Sequence, residues 1–290
     1  MPAITESTLL LCPLCQGGLQ DPDGQRRRLQ CSQNHSFDVA RQGYLHLLPV
    51  QQKRSRAPGD DKAMVLSRKA FLSAGYYQPL AEKLLNSLSQ KLDNHSTQRL
   101  LDAGCGEGYY ADYLQGHWPN QNLETYGVDI SKPAILGACQ RNKQIAWLVA
   151  SLRQIPLAGS SLDAIVSVFS PIQDEAFRRC LRSTGVLFQV SPGNTHLQSL
   201  KTLLYDEVQP FAEEKILAQR EPHWDLIYQE KLCYRFHLTH SDMISHLLAM
   251  TPHTWRISPE KKSRLAAVTE LACEADFVIT CWRPKAEPAN

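Results

Sequence analysis

The stretch between residues 99 and 131 constrains the fold of this chain more than any other. It reads as an apolar strand, a glycine-rich turn, a helix and a second strand that ends in an acid. Gly104, Gly106 and Gly108 allow the backbone to turn sharply and to approach a ligand closely. Asp129 follows Gly104 by 25 residues, at the end of a strand, where a carboxylate can accept both hydroxyls of a ribose. The stretch therefore predicts a nucleoside pocket.

The acids around this turn indicate the charge of the ligand. Asp102 precedes the turn, and Glu107 lies between two of its glycines. Such acids repel a pyrophosphate, which binds at a helix start free of negative charge, but they suit a cationic ligand. The segment DAGCGEG resembles motif I of class I S-adenosylmethionine (SAM) methyltransferases, whose cofactor carries a sulfonium and an ammonium. A NAD-binding turn and a purely structural loop are the alternatives.

Downstream of the turn, apolar strands alternate with amphipathic helices. Strands are predicted at residues 145–150, 163–169, 186–190 and 276–282, and helices at residues 132–142, 174–182, 196–205 and 241–250. This alternation predicts an α/β fold with a doubly wound, Rossmann-like parallel sheet, whose ligand binds outside the carboxyl ends of the strands. Upstream, helices are predicted at residues 61–73 and 78–92. The aromatic residues between 224 and 236 favour an antiparallel addition to the sheet, and stacking on bases is the alternative. Ser170 and Pro171, where the fourth strand ends, are either the wall of a substrate pocket or an ordinary loop.

The N-terminal segment contains a metal-ligand pattern. Cys12, Cys15, Cys31 and His35 have the spacing C-x2-C-x15-C-x3-H. Two close ligand pairs separated by a hairpin can clamp a tetrahedral zinc ion, and with four protein ligands that ion is structural. His46 is a spare nitrogen that could replace His35. The chain has nine cysteines, an odd and otherwise scattered set, which favours metal binding and reduced thiols over disulfides.

Charge and composition divide the chain into three segments. Residues 1–50 are predicted to form a zinc-binding domain, residues 51–62 a basic linker and residues 63–290 a methyltransferase domain. The net charge of the chain is only +2, but the segment between residues 24 and 58 contains seven Arg or Lys residues and only one acidic residue. Lys53, Arg54 and Arg56 of the linker either are solvated or contact phosphates. The sequence has neither a signal peptide nor a membrane span, which predicts a cytoplasmic protein.

Four segments together resemble one family over nearly the whole chain. CPLC with C-x3-H, FDVARQGYLHLLPVQQKRSRAPGD, AFLSAGYYQPL and LLDAGCGEGYY are similar to the bacterial 23S rRNA (guanine-N1)-methyltransferases of the RlmA type. This resemblance implies a homodimer that methylates one guanine in a hairpin loop of 23S rRNA, with residues 1–50 as the zinc-binding, RNA-recognition domain. It implies cofactor contacts at Tyr77, Gly106, Glu107 and His196, besides those expected at Asp102, Gly104 and Asp129. The chain departs from the family pattern at residues 183–185 and at Ser170, near the expected guanine pocket.

Two other functions remain open from the residues alone. One is a class I methyltransferase that acts on tRNA or a small metabolite, and the other is a zinc-ribbon assembly factor that retains SAM as a structural ligand. The basic N-terminal stretch argues against the metabolite enzyme, and the intact turn argues weakly against the assembly factor. No catalytic residue is assigned: Asp174, Glu175 and water are all candidates for accepting the guanine N1 proton.

Overall fold

The alternating elements predicted from the sequence form one large sheet flanked by helices. A computed structural model describes residues 9–25, 27–52, 58–93, 95–205, 213–251, 261, 265 and 267–286. The strands are β1 (Arg28–Gln30), β2 (Ser36–Asp38), β3 (Tyr44–His46), β4 (Gln98–Ala103), β5 (Leu123–Asp129), β6 (Ala146–Val149), β7 (Leu162–Val168), β8 (Leu181–Pro192), β9 (Trp224–Leu238) and β10 (Leu271–Pro284). The helices are α1 (Lys62–Ser73), α2 (Gln78–Lys91), α3 (Tyr109–His117), α4 (Lys132–Arg141), α5 (Asp174–Cys180), α6 (Gln198–Leu204), α7 (Glu213–Arg220) and α8 (Ser241–Ala249).

The eight strands of the large sheet lie in the order β3-β6-β5-β4-β7-β8-β10-β9. In this spatial order, the first six strands, β3-β6-β5-β4-β7-β8, each pair in parallel with their neighbours. Strand β10 pairs antiparallel to both β8 and β9. The doubly wound α/β fold and the antiparallel addition are confirmed. The strand order reverses direction between β4 and β7, so the carboxyl ends of these two strands flank the crevice where such sheets bind ligands.

The central strand β4 is buried on both faces. Leu100 packs in a cluster with Leu80 and Leu84 of α2, whereas Leu101 and Ala103 pack in a second cluster on the other face. A strand covered on both sides has to be apolar without interruption, which is why this segment is recognisable in the sequence. The strand thus carries the following turn on a rigid base.

Helices α1 and α2 begin and end close to their predicted positions. The Asp61 carboxylate caps α1 by accepting a hydrogen bond from the backbone N–H of Met64 at 2.9 Å. Leu80, Leu84 and Leu88 of α2 are fully buried, as their helical spacing predicts. Tyr77 directly precedes α2, so the packing of this helix fixes the position of that side chain.

The zinc-ribbon segment is joined to the large sheet. Strand β3, within the segment that contains the predicted ligands, pairs with β6 and forms an edge of the sheet. The backbone N–H of Leu11 donates to the Pro156 carbonyl, and that of Ala158 donates to the Leu9 carbonyl. Cys12 and Cys31 belong to the same apolar cluster as Leu101 of β4. The sequence did not predict this contact between the two parts of the chain.

Within the described part of the chain, none of the helices is both long and apolar enough to cross a bilayer.

Candidate functional site

The turn between β4 and α3 brings three strand ends together. Gly104 has φ +80°, and a Cβ atom there would lie 2.0 Å from the Ser170 hydroxyl oxygen. Glycine is therefore required at this position, because the loop after β7 packs directly against the turn. The backbone N–H groups of Gly104 and Cys105 both donate to the Val128 carbonyl of β5, at 2.8 and 3.1 Å.

Asp102 lies beneath this turn as a buried acid with an unsatisfied oxygen. Its side chain is 2% exposed, and its Oδ2 atom has no hydrogen-bond partner among the described residues. Burial raises the Asp102 pKa to about 7, and the nearby Asp129 and Glu107 contribute to the increase, while a backbone hydrogen bond from Ala111 opposes it. A cationic ligand at this position would favour the ionised carboxylate.

Glu107 is held inside the turn by one cation. Its side chain is 1% exposed, and its Oε2 atom accepts hydrogen bonds from Nε and Nη2 of Arg141 at 2.8 and 2.5 Å. Its Oε1 atom is buried and has no partner among the described residues. Burial raises the pKa of Glu107, and the Arg141 guanidinium opposes this shift. One oxygen of Glu107 is thus committed to the protein, and the other remains available to a ligand.

Asp129 connects the end of β5 to the turn. Its Oδ2 atom accepts from the backbone N–H of Gly106 at 2.9 Å, and its Oδ1 atom accepts from Ser131 N–H at 2.8 Å. Burial raises the Asp129 pKa, and these two hydrogen bonds counteract the increase. Each oxygen keeps a second lone pair, so the carboxylate can still accept the ribose hydroxyls expected from its sequence position.

Tyr77 and His196 are 119 residues apart in sequence and form a buried pair. The Tyr77 hydroxyl lies 3.4 Å from His196 Nε2. The backbone N–H of Asp276 donates to His196 Nδ1 at 3.3 Å, so a neutral ring carries its proton on Nε2, which donates to Tyr77. Burial raises the Tyr77 pKa well above its usual value, which keeps the phenol protonated.

Tyr110 lies in the first turn of α3, directly after the glycine turn. Burial raises its pKa well above the usual value, and the nearby Asp102 carboxylate adds to the increase. Its hydroxyl is buried without a partner among the described residues. The region therefore offers two unpartnered carboxylate oxygens, of Asp102 and Glu107, and one unpartnered phenol. Such donors and acceptors fit the ammonium group and the hydroxyls of SAM. They do not fit the pyrophosphate of a dinucleotide, which the two carboxylates would repel.

Three further polar residues lie at the turn and were not predicted as site residues. Tyr110 is one of them. Arg141 neutralises Glu107 from α4. Arg68 of α1 pairs with Asp60, and its Nη1 atom lies 3.5 Å from the position that a Cβ atom at Gly106 would occupy. The helical spacing of apolar residues predicts that α1 is amphipathic, but it does not predict that the Arg68 side chain lies close to the glycine turn.

The predicted zinc ligands lie together in the described part of the chain. One ligand atom from each of Cys12, Cys15, Cys31 and His35 lies within 4.8 Å of the others. The Cys12 and Cys31 sulfurs are 3.5 and 3.4 Å from His35 Nδ1, and the Cys15 and Cys31 sulfurs are 3.5 Å apart. Three thiols and an imidazole in this arrangement fit a tetrahedral zinc ion. His46 is instead part of β3 in the sheet.

The raised pKa of Asp102 predicts how stability without SAM depends on pH. Because the folded protein binds a proton on Asp102 that the unfolded chain releases, the contribution of Asp102 to stability should fall as the pH rises from about 4 to about 7. Asp102→Asn removes this penalty, so its free energy of unfolding should exceed that of the wild type at pH 8, by up to about 4 kcal/mol, and match it near pH 4. Urea unfolding at both pH values measures the difference. If the free energies of unfolding of the variant and the wild type differed by the same amount at pH 4 and pH 8, the prediction would be wrong.

Comparisons with known proteins agree with this geometry. Residues 10–56 match the model of the RlmA N-terminal zinc ribbon, and residues 100–185 match a methyltransferase domain. A 23S rRNA (guanine(748)-N(1))-methyltransferase of Streptomyces fradiae is 30% identical, over 93% of this chain and 95% of that protein. A putative 23S rRNA (guanine-N(1)-)-methyltransferase of Micromonospora griseorubida is also 30% identical, over 95% of this chain and 97% of that protein.

Among solved structures, a SAM-dependent methyltransferase from Aquifex aeolicus aligns with a TM-score of 0.50 at 15% identity, over 78% of this chain and 100% of that chain, which supports the fold alone. The whole-length relatives, the zinc-ribbon match and the acid-lined glycine turn point to the same assignment. The chain belongs to the RlmA-type family of 23S rRNA (guanine-N1)-methyltransferases, which combines a SAM-dependent methyltransferase fold with an N-terminal zinc ribbon.

Proposed function

We propose that this protein methylates N1 of one guanine in a hairpin loop of 23S rRNA. The observation that carries the proposal is the similarity over nearly the full length to relatives named for this reaction. The geometry supports it, because the acid-lined turn lies directly beside the carboxyl end of β7, where Ser170 contacts the Gly104 position. A base that enters there would meet the cofactor at the switch point of the sheet.

Guanine N1 carries a proton at neutral pH and lies on the Watson-Crick edge. The base must therefore leave its pairing partner, and a hairpin loop makes this cheaper than a helix does. SAM would supply the methyl group, held by Asp102, Glu107 and Asp129 around the turn and by the Tyr77 and His196 pair. The chain's contribution is to exclude water, to orient the base and to place N1 in line with the reacting group.

The described contacts narrow the candidates for the proton acceptor. Asp174 accepts hydrogen bonds from Arg220 and from the Trp224 indole N–H, the latter at 2.7 Å. These bonds commit its carboxylate to fixing α5 against α7 and β9, which argues against a role as general base. Glu175 is exposed in the first turn of α5. Glu175 and water thus remain as acceptors, and positioning supplies much of the rate.

The same proposal assigns roles to the parts of the chain. Residues 1–50 would recognise RNA, residues 51–62 would contact its phosphates and residues 63–290 would carry the chemistry. Lys53, Arg54 and Arg56 lie outside the described residues. We further infer a homodimer, as in the family pattern, and a cytoplasmic location, where bacterial rRNA is made.

Labelled methyl transfer distinguishes this function from the alternatives. The protein is given SAM with a labelled methyl group and, separately, naked 23S rRNA, assembled large subunits, tRNA and a panel of small metabolites. We expect label in 23S rRNA, at N1 of a single guanine mapped by mass spectrometry. RNA with adenine at that position should not react, because adenine presents an acceptor at N1 and a donor at the neighbouring amino group, the reverse of guanine, whereas inosine, which keeps both N1–H and the neighbouring carbonyl, should react. Faster labelling of tRNA or a metabolite would overturn the proposal.

A further inference from the structure

Phe169 combines two unusual properties at the end of β7. Its side chain is 45% exposed, although a phenylalanine gains stability from burial. Its backbone has φ +55°, in the left-handed region that a residue with a bulky side chain seldom adopts. Both properties oppose stability, and backbone strain of this kind concentrates at binding sites, where the surrounding structure enforces it.

The surrounding structure holds Phe169 in this conformation. Its backbone N–H donates to the Val190 carbonyl of β8 at 3.1 Å, which continues the strand pairing up to this residue. The buried Ser167 hydroxyl then donates to the Ser170 carbonyl at 3.2 Å and closes the turn. Because these bonds fix the backbone on both sides of Phe169, the direction in which its side chain leaves the backbone is set before any substrate arrives.

The ring lies beside the proposed cofactor site and has a rigid backing. Its centroid is 5.6 Å from that of His196 and 5.9 Å from that of Phe277. Ser170, the next residue, packs against the Gly104 position of the turn. Phe277 is fully buried and His196 is 6% exposed. Phe169 therefore has one side supported by aromatic rings and another open to solvent, next to the place of methyl transfer.

We propose that the open face of Phe169 is the surface on which the target guanine stacks. This inference rests on the proposed function and adds the residue that positions the base. A flat purine is the ligand chemistry that an exposed, rigid aromatic face accepts, since stacking on such a ring needs no hydrogen bond from it. A base stacked on Phe169 would lie next to Ser170, which packs against the Gly104 position of the turn, and therefore close to the proposed site of methyl transfer.

Substitutions at Phe169 separate stacking from a structural role. Phe169→Leu keeps an apolar side chain of similar size without a π face, and Phe169→Trp restores one. Phe169→Gly also removes the ring, but it relieves the backbone strain, since glycine adopts φ +55° freely. Leu226→Ala, at a side chain of similar exposure on β9, serves as the control. For each variant, kcat and KM for 23S rRNA, the Kd for SAM and the thermal midpoint are measured.

We expect Phe169→Leu and Phe169→Gly to lose about 5- to 150-fold in kcat/KM for rRNA, the range that stacking of one base represents. Phe169→Trp should recover most of the activity, and Leu226→Ala should keep it. The SAM Kd should stay within twofold of the wild type, and Phe169→Gly should not lower the thermal midpoint.

Three results would overturn the inference. Wild-type kinetics for Phe169→Leu would show that the ring does not hold the base. A loss of SAM affinity equal to the loss of activity would assign the ring to the cofactor site. A fall in the thermal midpoint of Phe169→Gly large enough to unfold the protein at the assay temperature would make the ring a packing residue. A wild-type protein that does not methylate rRNA is a separate outcome, which contradicts the proposed function itself.

Discussion

Replacing Cys31 with serine should abolish zinc binding and unfold the N-terminal segment. The bound metal stabilises small zinc modules by about 10–16 kcal/mol at neutral pH, because a module of this size buries little apolar surface of its own. Cys31 also packs in the cluster that contains Leu101 of the central strand. The loss should therefore lower the unfolding midpoint of the large sheet as well. Metal analysis of the purified protein and thermal unfolding measure the two effects.

Cys139→Ser provides the matched control for this substitution. Cys139 is equally buried but lies on α4, away from the four ligands. We expect this variant to contain one zinc ion per chain and to lose only the stability that burial of a hydroxyl costs. A Cys31→Ser protein that retains a full complement of zinc would rule out the ligand assignment.

Replacing Asp129 with alanine should have the largest effect on SAM affinity among single changes at the turn. The substitution removes the acceptors predicted for the ribose hydroxyls and also leaves the N–H groups of Gly106 and Ser131 without their partners. Hydrogen bonds to a charged group contribute about 1.5–3 kcal/mol, so the Kd for SAM should rise about 12- to 150-fold. Isothermal calorimetry on the zinc-loaded protein measures this change directly.

Two variants isolate the role of the Asp129 carboxylate. Asp129→Asn keeps one acceptor oxygen and should lie between the wild type and the alanine variant. Asp163→Ala removes a carboxylate at the amino end of β7, where it accepts from Arg99 N–H at 2.8 Å. It should lower stability but leave the SAM Kd unchanged. If Asp129→Ala binds SAM with wild-type affinity, the pocket does not hold the ribose at this residue.

The sequence predicted those features that depend on local patterns. The apolar run of β4, the helical spacing of Leu80, Leu84 and Leu88, and the ligand spacing in the zinc ribbon each depend on residues close together in the chain. The alternation of strands and helices then implied the sheet and the edge at which its ligand binds. These features could be predicted because a buried strand, the buried face of a helix and a metal site each accept only a few residue types.

The features that the sequence missed depend on contacts between distant segments. The hydrogen bonds that join Leu9 and Leu11 to residues 156–158 run between backbone atoms. Backbone hydrogen bonds place little restriction on residue type, so the sequence does not reveal them. Asp174 is a candidate proton acceptor by sequence, and only the structure shows that Arg220 and the Trp224 indole N–H donate hydrogen bonds to it. Phe169 reads as the end of a strand, and its left-handed backbone becomes visible only once the neighbouring strand is known.

The docking of the zinc ribbon also affects how the chain folds during synthesis. Leu10 pairs with Leu157, 147 residues later, so at about 5–20 residues per second its partner emerges about 7 to 30 s afterwards. The four zinc ligands lie within residues 12–35 and can capture their ion long before that. We expect the zinc-loaded ribbon to remain on the ribosome with its apolar face exposed until the strands that cover this face have been synthesised. Under zinc starvation, newly made chains would then be lost to aggregation while existing enzyme continued to work.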